Sequence, residues 1–254
     1  MSLPLWATEA PMTPQRSTLL QARKVYSQCA RLVESRAQAT GLSQVLSDQI
    51  IGVGIATDWV RRAAEMEDIE YLGALLNESA RRASFVELLR YGFSWFGLNA
   101  IFSRPALLHL IGNPANNSEY DAFLVLYNVR PVPNASVLEA QLHKLLSAQT
   151  SPRLPNVPSG TTVSTLHAIY AKYIPAGKVE GRAAKALRSA ATSGNISALN
   201  LPTLIYGFRN WFVHGNALDG SFGTRPGFLD YVGILQQGLA DVHLSTAIEL
   251  QKRL

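Results

Sequence analysis

The stretch LPTLIYGFRNWFVHGN, residues 201–216, indicates most directly how this chain folds. Pro202 suits the first turn of an α-helix, because a helix start has no partner for the N–H that proline lacks. Gly215 suits the end of the helix, where a left-handed backbone is favoured. Between these two positions, the second half of a largely apolar helix carries Arg209, Asn210 and His214. Polar groups in an apolar helix destabilise the fold unless they have partners, so these three are candidate functional residues.

Helical patterns extend from this segment over most of the chain. Apolar residues recur at three- and four-residue spacing, and glycine or proline stands near many of the predicted ends. The predicted helices cover residues 16–40, 43–67, 84–103, 118–128, 136–148, 162–173, 179–192, 201–214 and 228–254, with 69–81 as a shorter helix or a continuation. No alternating pattern is long enough to build a sheet, so the sequence predicts an all-α fold.

One domain accounts for most of this pattern. Residues 1–14 contain three prolines and lack both a basic start and an apolar core, so we expect a flexible N-terminal arm rather than a signal peptide. Residues 15–254 are predicted to form a single helical domain. The proline-rich stretch at 150–160 is the clearest loop and the best internal boundary. In the helix at 43–67, we expect Ile50, Ile51, Ile55 and Val60 to form the packed face.

Composition excludes several classes of protein. Of the 254 residues, 47% are hydrophobic and 16% charged, which is typical of a folded chain. The net charge of +5 allows a nucleic-acid partner, and a weakly basic surface without one explains it equally well. Cys29 is the only cysteine, which excludes an intrachain disulfide and a cysteine-based zinc site and favours a reducing, cytoplasmic compartment. The sequence has no run of eighteen apolar residues, so it predicts no membrane-spanning helix.

Glycine and histidine motifs give no sign of a cofactor. Gly52-Val53-Gly54 resembles part of a dinucleotide fingerprint, but the third glycine and the preceding strand are missing. The sequence has no Walker A motif, and its histidines do not have metal-ligand spacing. We therefore predict neither a cofactor nor a bound metal.

The polar residues of 201–216 have a spacing that bears on chemistry. Asn210 and His214 lie four residues apart, hence on one face, and the amide could orient the imidazole. Arg209 and His214 lie roughly 140° apart on an ideal helix. Either the helix end loosens near Gly215, or a second copy of the helix completes the site.

An arginine and a histidine together suit the cleavage of RNA. The 2′-hydroxyl of RNA can attack the adjacent phosphate without a metal if a base, an acid and a cation assist. Histidine can serve as base or acid, and arginine is the best fixed donor to phosphate oxygens. Because one chain offers one histidine here and the reaction has two proton transfers, a homodimer would supply both.

An arginine and a histidine separated by four to six residues, with a polar residue directly after the arginine, resemble the motif of the HEPN family (higher eukaryotes and prokaryotes nucleotide-binding). Four residues separate Arg209 from His214, and Asn210 stands directly after the arginine. The segment 84–103 also looks like the early core helix of that family, which often ends in an aliphatic-Asn-Ala-aliphatic-aromatic pattern, here around Asn99. The resemblance covers 84–103 and 200–216, and the last helix is compatible with it.

This resemblance implies a fold and a function. It implies a HEPN-like helical bundle with extra N-terminal helices, whose core match spans 84–254. It further implies a metal-independent endoribonuclease acting as a homodimer, in the role of a toxin or phage-defence effector with a possible antitoxin or regulatory partner. Arg209 would bind the scissile phosphate, His214 would transfer the proton, and Asn210 would orient the histidine or contact RNA.

Less specific interpretations remain open for the same residues. Arg209 and His214 could be structural groups near a helix end. Asn99 is expected to be a satisfied core amide, and it could also lie behind the Arg209–His214 site. A basic face, Lys178, Arg182, Lys185 and Arg188, could follow an RNA backbone or could simply be solvated. The whole domain could also be a non-catalytic module that binds RNA, a nucleotide or a partner protein, or a helical scaffold.

Overall fold

The computed structural model describes residues 13–67, 79–147, 181–213 and 227–254. Within these ranges the chain forms α-helices and one short 3-10 turn, and no strand. The helices are α1 (Pro14–Thr40), α2 (Gln44–Glu65), α3 (Ser79–Phe102), α4 (Pro105–Ile111), α5 (Glu119–Asn128), α6 (Ala135–Ser147), α7 (Arg182–Ser193), α8 (Leu201–Val213) and α9 (Phe228–Arg253). The prediction of an all-α fold is confirmed.

Most predicted helix bounds agree with the observed ones to within a few residues. The largest differences are at α3, which begins at Ser79, five residues before the predicted start, and at α4, which was not among the predicted helices. Pro105 ends the continuity of α3 and opens α4, since a helix start does not use the missing N–H. Of the predicted arm, Thr13 caps α1 and Pro14 begins it. The loop at 150–160 and the helix at 162–173 lie outside the described residues.

The first two helices form an antiparallel hairpin. Gly41 ends α1 with a φ of 85°, a backbone conformation that favours glycine, and the Ser43 hydroxyl caps α2 by accepting a hydrogen bond from the Leu46 N–H at 3.2 Å. At the far end of the hairpin, Nε of Arg16 donates to the Ala64 carbonyl at 2.8 Å. This bond joins the start of α1 to the last turn of α2.

The packed face of α2 differs from the predicted one. Ile51 and Ile55 are 44% and 37% exposed, so their predicted place in the packed face is wrong. The buried face consists largely of small residues: Gly52, Val53, Ala56, Val60, Ala63 and Ala64. These small side chains let α2 approach α1, α3 and α4 closely, whereas isoleucines at those positions would hold the helices apart.

Gly52 marks the closest of these approaches and gives a matched test. A Cβ there would lie 2.6 Å from Cδ of Arg104 and still closer to Cδ1 of Leu107. We therefore expect Gly52→Ala to lower the free energy of unfolding by about 1–3 kcal/mol through overpacking. Gly54, on the same helix, has nothing within 4 Å of such a Cβ, so Gly54→Ala is expected to raise it by up to about 1 kcal/mol. Thermal unfolding of both variants measures the difference, and a stabilised Gly52→Ala would contradict the packing.

Helix α9 lies at the centre of the bundle and packs against α1, α3, α4, α5, α6 and α8. Its His243 is fully buried. Nε2 of His243 donates to the Ser94 carbonyl at 2.8 Å, and Nδ1 accepts from the Tyr26 hydroxyl at 3.3 Å. The imidazole thus joins α9 to α3 and α1 in its neutral form, with the proton on Nε2.

Helix α8, which carries the predicted motif, lies against α3 and α5. The Tyr91 hydroxyl donates to the Ile205 carbonyl at 2.6 Å, and the Tyr91 ring meets the Phe208 ring edge-on at 4.7 Å. At the end of α8, the Phe212 ring packs directly onto the backbone of Gly92, where any Cβ would overlap it. These contacts fix the rotation of α8 and therefore the direction of Arg209.

Among the helices that the structure describes, none combines the length and the apolar character that crossing a membrane requires.

Candidate functional site

The Arg209 guanidinium is held in place by an acidic residue from α5. Nη2 of Arg209 donates to Oε1 of Glu119 at 2.6 Å, and the two side chains are 16% and 30% exposed. Charge-assisted hydrogen bonds of this length fix both partners well. Arg209 is therefore a positioned cation at the surface of the α5–α8 packing and not a mobile surface side chain.

Two aromatic rings flank the same guanidinium. Cζ of Arg209 lies 5.6 Å from the ring of Trp95 on α3 and 5.7 Å from the ring of Tyr206, one turn earlier on α8. Such cation–π contacts stabilise a guanidinium that is partly withdrawn from water. Nε of Arg209 and Nε1 of Trp95 are both buried and have no hydrogen-bond partner among the described residues.

Asn210 is engaged by its neighbour in the sequence. Its Oδ1 accepts a hydrogen bond from Nη1 of Arg209 at 2.9 Å, so the amide oxygen is committed to the guanidinium. The amide nitrogen of Asn210 is a donor only and is the group that remains for another acceptor. The predicted role of orienting the histidine would therefore fall to that nitrogen.

His214 lies outside the described residues, which end in this region at Val213. Helix α8 extends through Val213, which is 42% exposed. The structure thus brings Arg209 and Asn210 together, with Glu119 as a third member, and does not place the imidazole. The predicted juxtaposition of Arg209 and His214 stays a prediction.

Asn99 is half-buried on α3, one turn after Trp95. No hydrogen bond joins its side chain to Arg209 or Asn210 among the described residues. Trp95, four residues earlier on the same helix, packs against the Arg209 guanidinium. This place is compatible with a supporting role behind the site and gives no direct contact with it.

The predicted basic face is divided by the structure. Lys178 lies outside the described residues. Arg182, Lys185 and Arg188 are exposed on α7, opposite the buried Ala183, Leu187 and Ala190. Lys185 and Arg188 line a shallow depression along α7 with Ser189, Thr192 and Ser193. Arg182 instead turns towards α5, where it forms an ion pair with Asp121.

Asp121 on α5 is the buried anionic partner of Arg182. The aspartate side chain is 4% exposed, and its Oδ2 accepts hydrogen bonds from Ser118 Oγ at 2.6 Å and from Asn116 Nδ2 at 3.1 Å. A buried carboxylate needs such partners, because an unpaired buried charge is strongly destabilising. Cζ of Arg182 also lies 5.6 Å from the Tyr120 ring. Arg182 is therefore held at a fixed place, although its side chain is 55% exposed.

Three residues of this site were not predicted from the sequence: Glu119, Tyr206 and Trp95. Glu119 is 90 positions from Arg209, and the sequence signal around it marks only the start of α5, where Ser118 caps the helix. Burial, followed by the negative charge of Glu119, raises the pKa of Tyr206 to about 12, so its hydroxyl remains a donor at neutral pH. The Tyr206 hydroxyl donates to Oε2 of Glu119 at 3.5 Å, a long and therefore weak bond.

Within the described ranges, no group of three or more histidine, cysteine, aspartate or glutamate side chains is arranged to hold a metal ion. Comparison of the chain with protein-family models, with curated proteins and with solved structures finds no match.

Proposed function

We propose that this protein is an endoribonuclease of the HEPN type that cleaves RNA without a metal, by attack of the 2′-hydroxyl on the adjacent phosphate. Arg209 binds the scissile phosphate and stabilises the charge that develops on it. His214 transfers a proton in the same step, and Asn210 orients the histidine or contacts RNA. The motif at 209–214 and the segment 84–103 support this assignment.

One observation carries the proposal furthest: the guanidinium of Arg209 is fixed five residues before His214. Glu119 and Asn210 hold Nη2 and Nη1, and 16% of the side chain remains exposed. An arginine held in one orientation can stabilise charge on a phosphate without first losing its own freedom. A merely solvated arginine would lack both constraints.

The proposal extends to the assembly and the biological role. Each chain supplies one His214, whereas the reaction includes two proton transfers, so a homodimer that joins two such histidines is the expected active form. We infer a cytoplasmic toxin or phage-defence effector, controlled by an antitoxin or another regulatory partner. Both inferences follow from the resemblance to HEPN ribonucleases.

Cleavage by the purified protein in the presence of EDTA tests the proposal. We expect the wild-type protein to cut RNA to products that carry a 2′,3′-cyclic phosphate. His214→Ala is expected to lower the rate by about 10²–10⁴-fold, the range for loss of a general acid or base. His109→Ala, at an exposed histidine on α4, is the matched control and should leave the rate unchanged. Cleavage that survives His214→Ala would end the assignment.

A second candidate function is a non-catalytic HEPN module that binds RNA, a nucleotide or a partner protein. The ion pair with Glu119 and the flanking Trp95 and Tyr206 rings favour it, because together they satisfy much of the Arg209 guanidinium within the fold. Such a module would bind RNA with an affinity that falls steeply with salt and would leave the RNA intact. RNA that is bound but uncut by the wild-type protein would identify this function.

A further inference from the structure

A cavity lies beside the candidate site, between α5, α6, α7 and the start of α8. Its volume is about 420 Å³, within the range of small-ligand pockets. The residues that matter for recognition are Tyr120, Tyr127, Glu139, Arg182, Asn200 and Thr203. We call it the α5–α8 cavity.

One wall of the α5–α8 cavity is a fixed hydrogen-bond network. Thr203 is buried; its hydroxyl donates to Oδ1 of Asn200 at 2.6 Å and is 2.9 Å from the Tyr120 hydroxyl. Oε1 of Glu139 accepts from the Leu201 N–H at 2.9 Å. These bonds leave the Asn200 amide nitrogen and Oε2 of Glu139 without a partner among the described residues. A donor and an acceptor are thus presented on side chains that are already oriented.

A cation lies at the same cavity. The Arg182 guanidinium is anchored by buried Asp121 and lies 5.6 Å from the Tyr120 ring. More than half of the Arg182 side chain is exposed, so several of its five N–H donors remain accessible. A planar, fixed guanidinium of this kind matches the oxygens of a phosphate.

Two tyrosine rings in contact lie between the Arg182 guanidinium of the α5–α8 cavity and the Arg209 guanidinium. The Tyr206 ring lies 5.7 Å from Cζ of Arg209 and 4.9 Å from the Tyr120 ring. The Tyr120 ring in turn contacts Arg182. Two positioned guanidinium groups therefore flank one aromatic pair.

We propose that the α5–α8 cavity binds one nucleoside monophosphate unit, with its phosphate at Arg182 and its base against the walls that carry Asn200 and Glu139. A base presents both donors and acceptors at its edge, which an amide nitrogen and a carboxylate oxygen complement. The inference rests on the proposed function insofar as the unit is a nucleotide of the RNA substrate whose scissile phosphate Arg209 binds. A free nucleotide has the same chemistry, and the experiment distinguishes the two.

Calorimetric binding by the full chain tests this site separately from cleavage. The probes are the four nucleoside 5′-monophosphates, inorganic phosphate, and a 2′-O-methyl oligoribonucleotide that has no 2′-hydroxyl for attack. Ala186, which is half-buried and lines the cavity, gives a variant that fills the space without changing charge, Ala186→Phe. Arg182→Ala removes the cation, and Lys144→Ala removes an equal charge at an exposed position of α6 that does not line the cavity.

We expect Ala186→Phe and Arg182→Ala to raise the Kd for at least one monophosphate by about tenfold or more, and Lys144→Ala to change it by less than about threefold. If the same variants also weaken binding of the oligoribonucleotide, the bound unit belongs to RNA. If they weaken binding of the monophosphates alone, the ligand is a free nucleotide. Equal binding by wild type and Ala186→Phe, or no binding by the wild type, overturns the site. Arg182→Ala removes the cationic partner of buried Asp121 and could therefore unfold the protein. Ala186→Phe does not change any charge, so a folded Ala186→Phe protein with an unchanged melting temperature tests the site independently.

The two proposals fail in different ways. His214→Ala is expected to bind the monophosphates as the wild type does, because His214 is proposed to transfer a proton and the binding is proposed to rest on Arg182, Asn200 and Glu139. If the protein binds the monophosphates but does not cut unmodified RNA, the proposed nucleotide site stands and the nuclease assignment is wrong. If wild type and Ala186→Phe cut RNA equally well and neither binds a monophosphate, the nuclease assignment stands and the proposed nucleotide site is wrong.

Discussion

Replacing Arg209 with alanine is expected to lower the rate of RNA cleavage by about 10²–10³-fold while the protein remains folded. Removing one positioned donor to a developing negative charge typically has an effect of this size. Arg209→Lys is expected to recover little of it, because an ammonium group cannot reproduce the paired contacts that the guanidinium makes to Glu119 and Asn210. Single-turnover cleavage at saturating protein measures the chemical step for both variants.

Glu119→Gln separates a catalytic from a structural role for Arg209. It breaks the ion pair at 2.6 Å but keeps the guanidinium and leaves a neutral acceptor for it. If the pair matters only for folding, Glu119→Gln and Arg209→Ala will lower the melting temperature alike and lose activity alike. If Arg209 acts on the phosphate, Glu119→Gln retains much of the cleavage that Arg209→Ala loses. Equal activity of wild type and Arg209→Ala would contradict the proposed role.

Acid is expected to destabilise the Asp241→Asn variant far more steeply than the wild type. Burial lowers the pKa of His243 from 6.5 to about 4, against a smaller opposing effect of its bond to the Ser94 carbonyl. Between these values the unfolded chain binds a proton that the folded chain does not. The free energy of unfolding therefore falls as the pH drops from 6.5 towards 4, by about 3 kcal/mol at about 1.4 kcal/mol per pH unit.

Asp241, two residues earlier on α9, acts in the opposite direction. Burial raises the pKa of its carboxyl from 3.8 to about 6, although the bond from Gln237 at 2.9 Å favours the charged form. Here the folded chain binds the proton first, so the free energy of unfolding rises as the pH falls from 6 towards 3.8. In the wild type the two groups largely offset each other across nearly the same range.

Chemical denaturation at several pH values between 4 and 7 measures this balance. Asp241→Asn removes the stabilising half and keeps an acceptor for Gln237, so the pH dependence of His243 should appear alone. Asp230→Asn, at an exposed aspartate in the first turn of the same helix, is the control and should follow the wild type. Parallel curves for wild type and Asp241→Asn would show that His243 does not titrate as its burial requires.

The amino-acid sequence was enough to predict most of the described helices, with α4 as the exception. Capping residues and the three- to four-residue apolar repeat act within a few positions of each other, so α1, α5, α8 and α9 end within two residues of their predicted bounds. The same local signals did not give the packed face of α2. Helix α2 has apolar residues on several sides, so it could bury either its isoleucines or its small residues. The close approach of Arg104 and Leu107 at Gly52 buries the face of small residues.

The sequence likewise predicted Arg209 and Asn210 as members of one site, because they are neighbours on one helix. What it did not contain was the environment of Arg209: Glu119 from α5 and Trp95 from α3 reach it only through the packing of three helices. The division of the basic face also depends on the packing of helices, because Arg182 forms an ion pair with Asp121 of α5 while Lys185 and Arg188 line a depression along α7. Periodicity and caps are properties of neighbouring residues, and they determined the helices; charge partners and cavities depend on which helix faces meet, and only the tertiary structure decided those.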